Sequence, residues 1–254
     1  MRQSFSYTLL ITWVLIAVSC KTHFVQKSYE IENISVSEEL NALDSSIIQL
    51  YNPYKTILEK DMSRVISFSE IEMTKGKPES FLTNFLGDVL LAEGENVAKA
   101  QGLNLIPDVS FFNYGGIRTS LPKGEITVGK IFELMPFENE MVFLELDGKQ
   151  MQEFLDYVAS KGGDSVGGAR IRISNNKAKD ATIGGRPLNE EESYWLVTND
   201  YVANGGDGLE VLRGSRKFIN SRYKIRDAII SNLEAKQKNN EKLTAKIDGR
   251  FTIE

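Results

Sequence analysis

FFNYGGIRTSLPKGEITVGKIFELMPFEN, residues 111–139, sets an asparagine and an arginine at the two ends of NYGGIR and a Pro-Phe pair eighteen residues beyond the arginine. Asn113 offers amide donors and a carbonyl acceptor, and Arg118 a planar fork of donors that matches carboxylate or phosphate oxygens. Gly115 and Gly116 would let the backbone approach a ligand where a Cβ would collide. The same residues also fit a plain Asn-Gly turn between buried strands, with Arg118 on the surface. Taken alone, the stretch leaves both readings open.

Working outward, residues 78–101 read as a helix, with Leu82, Phe85, Leu86, Val89 and Leu90 at helical spacing, interrupted only by Gly87 and Gly94. Glu79 before Ser80 suits a helix N-terminus electrostatically. Residues 106–112 read as a strand feeding the glycine turn, 125–128 as a short extended piece and 130–134 as a short helix. Residues 141–146 have the apolar density of another strand; an Asp147-Gly148 turn and a helix carrying Met151, Phe154, Leu155 and Val158 follow. Residues 169–173 alternate apolar and basic side chains like a half-exposed strand, and the polar, glycine-rich interval ending at Pro187 reads as loops. Residues 194–198 form a buried-strand pattern, 226–234 a helix and 250–253 a closing extended segment. This order predicts a mixed α/β domain, with no solenoid repeat and no coiled-coil heptad.

A second glycine-rich signal, NDYVANGGDG at residues 199–208, follows the strand pattern at 194–198. It predicts a tight loop in which Asp207 accepts hydrogen bonds and Tyr201 presents an aromatic face. Its acidic spacing does not fit the twelve-residue EF-hand loop. Phe137 and Tyr201, if brought across a cleft, could sandwich a planar base, an arrangement that contributes roughly 1–3 kcal/mol per base in nucleic-acid systems. The plainer reading makes Phe137 a core residue and Tyr201 a half-buried loop aromatic.

The chain of 254 residues is 41% apolar and 26% charged, enough to build a sizeable core. Met1-Arg2-Gln3-Ser4, an apolar run over residues 5–18 and Ala17-Val18-Ser19-Cys20 form an export signal too short for an ordinary membrane span. The small residues before Cys20 resemble a bacterial lipoprotein box, in which the cysteine becomes the lipidated first residue; plain secretion is the alternative. The expected organisation is therefore a signal peptide over 1–19, a lipidated tether over 20–37 and a domain over 38–254. Acyl chains on Cys20 would hold the domain at a membrane surface, on the periplasmic or cell-surface side. A lone cysteine excludes an internal disulfide. Loss of Arg2 on processing leaves the chain one unit more negative than its formal −5, which argues against a general nucleic-acid footprint while permitting a small anion site.

Together, Glu79-Ser80, Asn113-Tyr-Gly-Gly-Ile-Arg118, Leu134-Met-Pro-Phe137 and Tyr201-Val-Ala-Asn-Gly-Gly-Asp207-Gly resemble the C-terminal, substrate-binding domain of bacterial and animal 5'-nucleotidases over roughly residues 30–250. The resemblance implies α/β/β/α layers and a nucleotide or nucleoside ligand. It implies that Asn113 and Arg118 lie near the phosphate, that Phe137 and Tyr201 flank the nucleobase, and that Asp207 contacts the nucleoside. Gly115, Gly116, Asn204 and Gly206 complete the substrate-binding set.

Two departures qualify it. Gly76 stands where family members often carry a phosphate-binding arginine; Lys77 beside it, or Arg170 and Arg172 further on, could compensate, although an ammonium cannot reproduce a bidentate guanidinium. The larger departure is that the family's N-terminal calcineurin-like metallophosphatase motifs are missing and the single histidine is His23. With no metal site and no cofactor expected in this chain, hydrolysis would need a divalent two-metal centre in a separately encoded metallophosphatase subunit. A stand-alone surface-anchored nucleotide-binding protein and a non-catalytic interaction domain are the other readings. Hydrolysis by Asp207 or Glu79 as a base lacks a nucleophile, and Ser165 near Gly167-Gly168 forms no G-x-S-x-G elbow.

Overall fold

The computed structural model describes residues 44–254. The signal segment, Cys20 and the tether over 20–37 lie outside the described residues. The chain divides into two units, Met1–Leu50 and Tyr51–Glu254, and among the described residues every sheet lies in the second. The first described helix, α1 (Ser45–Met62), buries none of its side chains.

A mixed five-stranded sheet organises the domain: β10 (Lys217–Lys224), β4 (Glu140–Asp147), β9 (Ser193–Asn199), β2 (Val109–Phe112) and β5 (Ser165–Gly167), in that spatial order. β9 and β2 run parallel, and all other neighbours are antiparallel. Both faces are covered, which is why β4 reads MVFLEL instead of alternating with polar residues. Its Met141 and Phe143 join the core under α2 (Phe81–Ala100), α3 (Val128–Leu134) and α6 (Ile225–Lys238), while Val142, Leu144 and Leu146 face the opposite core. That second core is closed by α4 (Gly148–Ser160) and a four-stranded sheet of β11 (Phe251–Ile253), β6 (Ala169–Ser174), β7 (Lys177–Ile183) and β8 (Arg186–Pro187). Phe154 of α4 meets Phe111 of β2 edge-on, with ring centroids 5.2 Å apart. A small antiparallel pair, β1 (Val65–Ser69) and β3 (Gly124–Thr127), completes the first side.

α2 begins later than its periodicity suggests because Ser80 caps it: the Ser80 side chain accepts from Thr83 N–H and the Thr83 hydroxyl reciprocates. Gly87 and Gly94 do not interrupt it. A Cβ at Gly87 would lie 2.7 Å from the Val166 carbonyl carbon and one at Gly94 3.0 Å from Val197, so both let the helix sit close against the sheet. β2 starts only at Val109, and Ile106, 68% exposed, is outside it.

The interval ending at Pro187 corrects the loop reading, since it forms β7 and β8. Asn175 and Asn176 (φ 50° and 59°) join β6 to β7, and Gly184 and Gly185 (φ 57° and 77°) join β7 to β8. Two-residue connections with positive φ at both positions match the right-handed twist of a hairpin, and Asn-Asn and Gly-Gly are suited to them. Strands β1 and β10 also escaped the pattern, because their burial follows no clean two-residue alternation.

Candidate functional site

The parallel pairing of β2 with β9 brings the ends of both strands to one edge of the sheet, and the antiparallel β4 begins at that edge, with Met141 opposite Asn199. Three segments far apart in sequence therefore converge: Asn113–Arg118 after β2, Asp200–Asp207 after β9, which opens with the short helix α5 (Asp200–Ala203), and Phe137–Asn139 before β4. They enclose a cleft of about 630 Å³ lined by Asn113, Gly115, Gly116, Arg118, Phe137, Glu138, Asn139, Tyr201 and Asp207. That is the size of a small-molecule site.

A hydrogen-bond chain ties the segments together. Asn199 Nδ2 donates to Asn113 Oδ1 at 3.1 Å, and Asn113 Nδ2 donates to Asp207 Oδ2 at 2.7 Å. Tyr201 Oη donates to Asp207 Oδ1 at 3.0 Å, and Tyr157 Oη to the Asp207 carbonyl at 2.9 Å. Asp207 holds a left-handed backbone (φ 56°), a conformation that such a network can sustain. Asp200 links the two aromatic segments: its Oδ1 accepts from Asn139 Nδ2 at 2.9 Å and from Glu140 N–H at 3.2 Å.

Phe137 and Tyr201 line the cleft 49% and 48% exposed, so neither is a core side chain. The Tyr201 ring lies on Gly206, where a Cβ would come within 2.5 Å of it. Gly116 serves a similar end, for a Cβ there would lie 2.7 Å from the Phe112 ring. At Gly115 a Cβ would meet nothing closer than 3.7 Å, which leaves that space to the cleft. Arg118 Nη1 donates to the Gly115 carbonyl at 3.1 Å, and the guanidinium carbon lies 5.9 Å from the Phe137 centroid. Asn204 is set apart: its amide donates to the Asp200 carbonyl at 2.7 Å and it lines an adjoining recess with Arg213, not the main cleft.

Behind the glycine turn lies a group of which the sequence pattern singled out only Lys77. Lys75 Nζ donates to the Ile117 carbonyl at 2.7 Å and sits 4.4 Å from the Tyr114 ring centroid; burial, then Arg118, pushes its pKa down. Lys77 Nζ donates to the Lys161 carbonyl at 2.6 Å and also faces Tyr114. Buried Asp164 accepts from Ser165 N–H at 2.8 Å, and burial raises its pKa to about 6. Burial and then Asp207 raise Tyr157 to about 12. Arg170 and Arg172 lie on β6, paired with Asp248 and with Asp180 and Glu254, and neither lines the cleft. Glu79 accepts from the Asn84 side chain and the Gly249 N–H, so it braces the start of α2.

The pattern of the 5'-nucleotidase, C-terminal domain, matches residues 61–214. The chain belongs to this family. It is 26% identical over 225 residues to the 5'-nucleotidase of Vibrio vulnificus (strain CMCP6), covering 84% of this chain and 38% of that protein. It is 25% identical over 223 residues to Protein UshA of Escherichia coli (strain K12), again covering 84% of this chain and 38% of the relative. The crystal structure of the 5'-nucleotidase precursor from Thermus thermophilus superposes with a TM-score of 0.66 at 25% identity, over 83% of this chain and 43% of that one. This C-terminal-type domain thus spans about two fifths of the length of the relatives it matches.

Among the described residues no three His, Cys, Asp or Glu side chains converge, and the Asp207 carboxylate is engaged by Asn113 and Tyr201. Paired metal ions need several carboxylate or imidazole ligands. No helix among the described residues is long and apolar enough to cross a membrane.

Proposed function

We propose that this domain recognises a nucleoside monophosphate, with hydrolysis of the phosphomonoester only in trans, when a separate two-metal metallophosphatase subunit docks. The observation that carries the reading is the convergence of two half-exposed aromatics, Phe137 and Tyr201, with Asn113, Arg118 and Asp207 in one cleft. Phe137 and Tyr201 would hold the base between them. Asp207 has acceptor lone pairs left for sugar hydroxyls after bonding Asn113 and Tyr201. Arg118 and Asn113 would orient the phosphate. Export and a lipid anchor at Cys20 belong to the same proposal, and their support is the sequence of the first twenty residues.

Calorimetric titration of the chain with AMP, adenosine and inorganic phosphate tests the binding role. Saturable AMP binding, weakened about 5- to 150-fold in Phe137→Ala and in Tyr201→Ala, is expected from the scale of base stacking, about 1–3 kcal/mol. AMP binding that is unchanged in both variants would sink the clamp. The pure chain with divalent cations should turn over no AMP, and turnover should appear when the cognate metallophosphatase is added. Persistent inactivity of that mixture would favour a stand-alone binding protein.

A further inference from the structure

The Phe137 wall is held by a side chain with an unusual environment. Arg226, in the first turn of α6, is only 6% exposed. Its guanidinium lies 3.9 Å from the Phe132 ring centroid, its Nη1 donates to the Met135 carbonyl at 3.5 Å and its Nη2 to Glu138 Oε1, while Nε has no partner. Removing a guanidinium from water is costly unless its charge is met. The carboxylate that meets it belongs to Glu138, whose own side chain is 65% exposed and lines the cleft.

The two Arg226 contacts bracket Pro136-Phe137. Neighbouring groups of the same segment add to the bracket: Lys224 Nζ donates to the Glu138 carbonyl at 2.7 Å, and Ile225 N–H to the Asn139 carbonyl at 3.0 Å. One carboxylate oxygen of Glu138 is committed to Arg226, and its other oxygen has no protein partner among the described residues. Asn139, next in the chain, is fixed by Asp200 beside Tyr201, so Glu138 sits between the anchored walls of the cleft. The hydrogen bond from Arg226 lowers the Glu138 pKa and keeps the carboxylate an acceptor near neutral pH.

We propose that Arg226 and Glu138 act as a unit that selects the nucleobase, with Arg226 as the positioning residue and the free oxygen of Glu138 accepting from an exocyclic amino group. The preferred ligand class is then an amino-bearing base such as adenine, over a 6-oxo base such as hypoxanthine, whose carbonyl would face an anion. This inference rests on the nucleotide reading above. An ionised acceptor distinguishes the two because a charge-assisted hydrogen bond is stronger than a neutral one, and an oxygen turned toward it is repelled.

The test is calorimetry on the full chain with AMP, IMP and inorganic phosphate, for wild type, Glu138→Gln and Arg226→Gln. Wild type should bind AMP about tenfold tighter than IMP, the order expected of one hydrogen bond to a charged group. In Glu138→Gln, whose side-chain carbonyl can still accept from Arg226 although the charge is lost, the ratio should fall to within about twofold while the phosphate affinity changes equally little, and a thermal scan checks that the variant, with the buried Arg226 charge no longer met, stays folded. Arg226→Gln should lower the ratio without abolishing AMP binding, and the double variant should lose no more than Glu138→Gln alone. A merely structural role for Arg226 would weaken all ligands alike. Equal AMP and IMP binding in wild type, or an unchanged ratio in Glu138→Gln, overturns this inference and leaves the nucleotide reading standing. Absence of any AMP binding overturns both.

Discussion

Replacing Gly206 with alanine tests whether the backbone at that position sets the aromatic wall. The added Cβ would stand 2.5 Å from Tyr201 Cε1 and 2.7 Å from Cδ1 and Cζ, all closer than real Cβ contacts come. Gly206 does not have a positive φ, so alanine strains no dihedral and the substitution acts through the ring. The ring has to swing off Gly206, and its hydroxyl then leaves Asp207 Oδ1, now 3.0 Å away. Loss of that bond should cost about 1 kcal/mol of stability, which lowers Tm by roughly 2–4 °C in a domain of this size. Loss of one stacking face, about 1–3 kcal/mol, should weaken adenosine by about 5- to 150-fold, since about 1.4 kcal/mol is a factor of ten. The assay is calorimetric titration of the variant with adenosine, beside Tyr201→Phe, which keeps the ring and loses only the hydroxyl. Tyr201→Phe should retain most of the affinity. Wild-type adenosine affinity in a folded Gly206→Ala protein would refute the reasoning.

Two further outcomes follow from the packing and the buried charge. Gly87→Ala should destabilise the domain by about 2–3 kcal/mol in urea unfolding, because its Cβ meets the backbone of β5, which cannot rotate away; a loss below about 0.5 kcal/mol would show that helix and sheet are less closely packed. Asp164 rises from 3.8 to about 6 through burial, so the folded protein holds a proton that the unfolded chain releases, and the stability this contributes is present below about pH 4 and lost as pH rises toward 6. Thermal scans of Asp164→Asn against wild type should therefore show a Tm difference that moves in the variant's favour between about pH 4 and 6 and levels off above that range; a difference that is flat throughout would remove Asp164 from that role.

The elements that the residue pattern revealed are those whose periodicity is set by burial on a single local element. α2 and α4 each carry an apolar stripe, and β4 and β9 are apolar on both faces because both faces are covered. What escaped was decided elsewhere. β7 looks polar because one face of the four-stranded sheet is wet, and β8 because it is the exposed edge strand, and only the turn residues Asn175-Asn176 and Gly184-Gly185 mark them. The two aromatics were visible as residues, but their exposure was not, since an isolated Phe137 is as compatible with a core.

By itself, the sequence determined the α/β class, the family and many of the residues that line the cleft, because glycine, asparagine and aromatic positions in NYGGIR, MPF and ANGGDG are locally recognisable, whereas Glu138 and Asn139 beside them carry no such signal. Only the tertiary structure decided their arrangement. Parallel pairing of β2 with β9 places Asn113 beside Asn199, a neighbour 86 residues away, and closes the bonds to Asp207. It also set Asn204 outside the main cleft and brought Lys75, Asp164 and Arg226 behind its walls. These residues carry no local signature, because what makes them matter is burial and a partner that the chain supplies from far away.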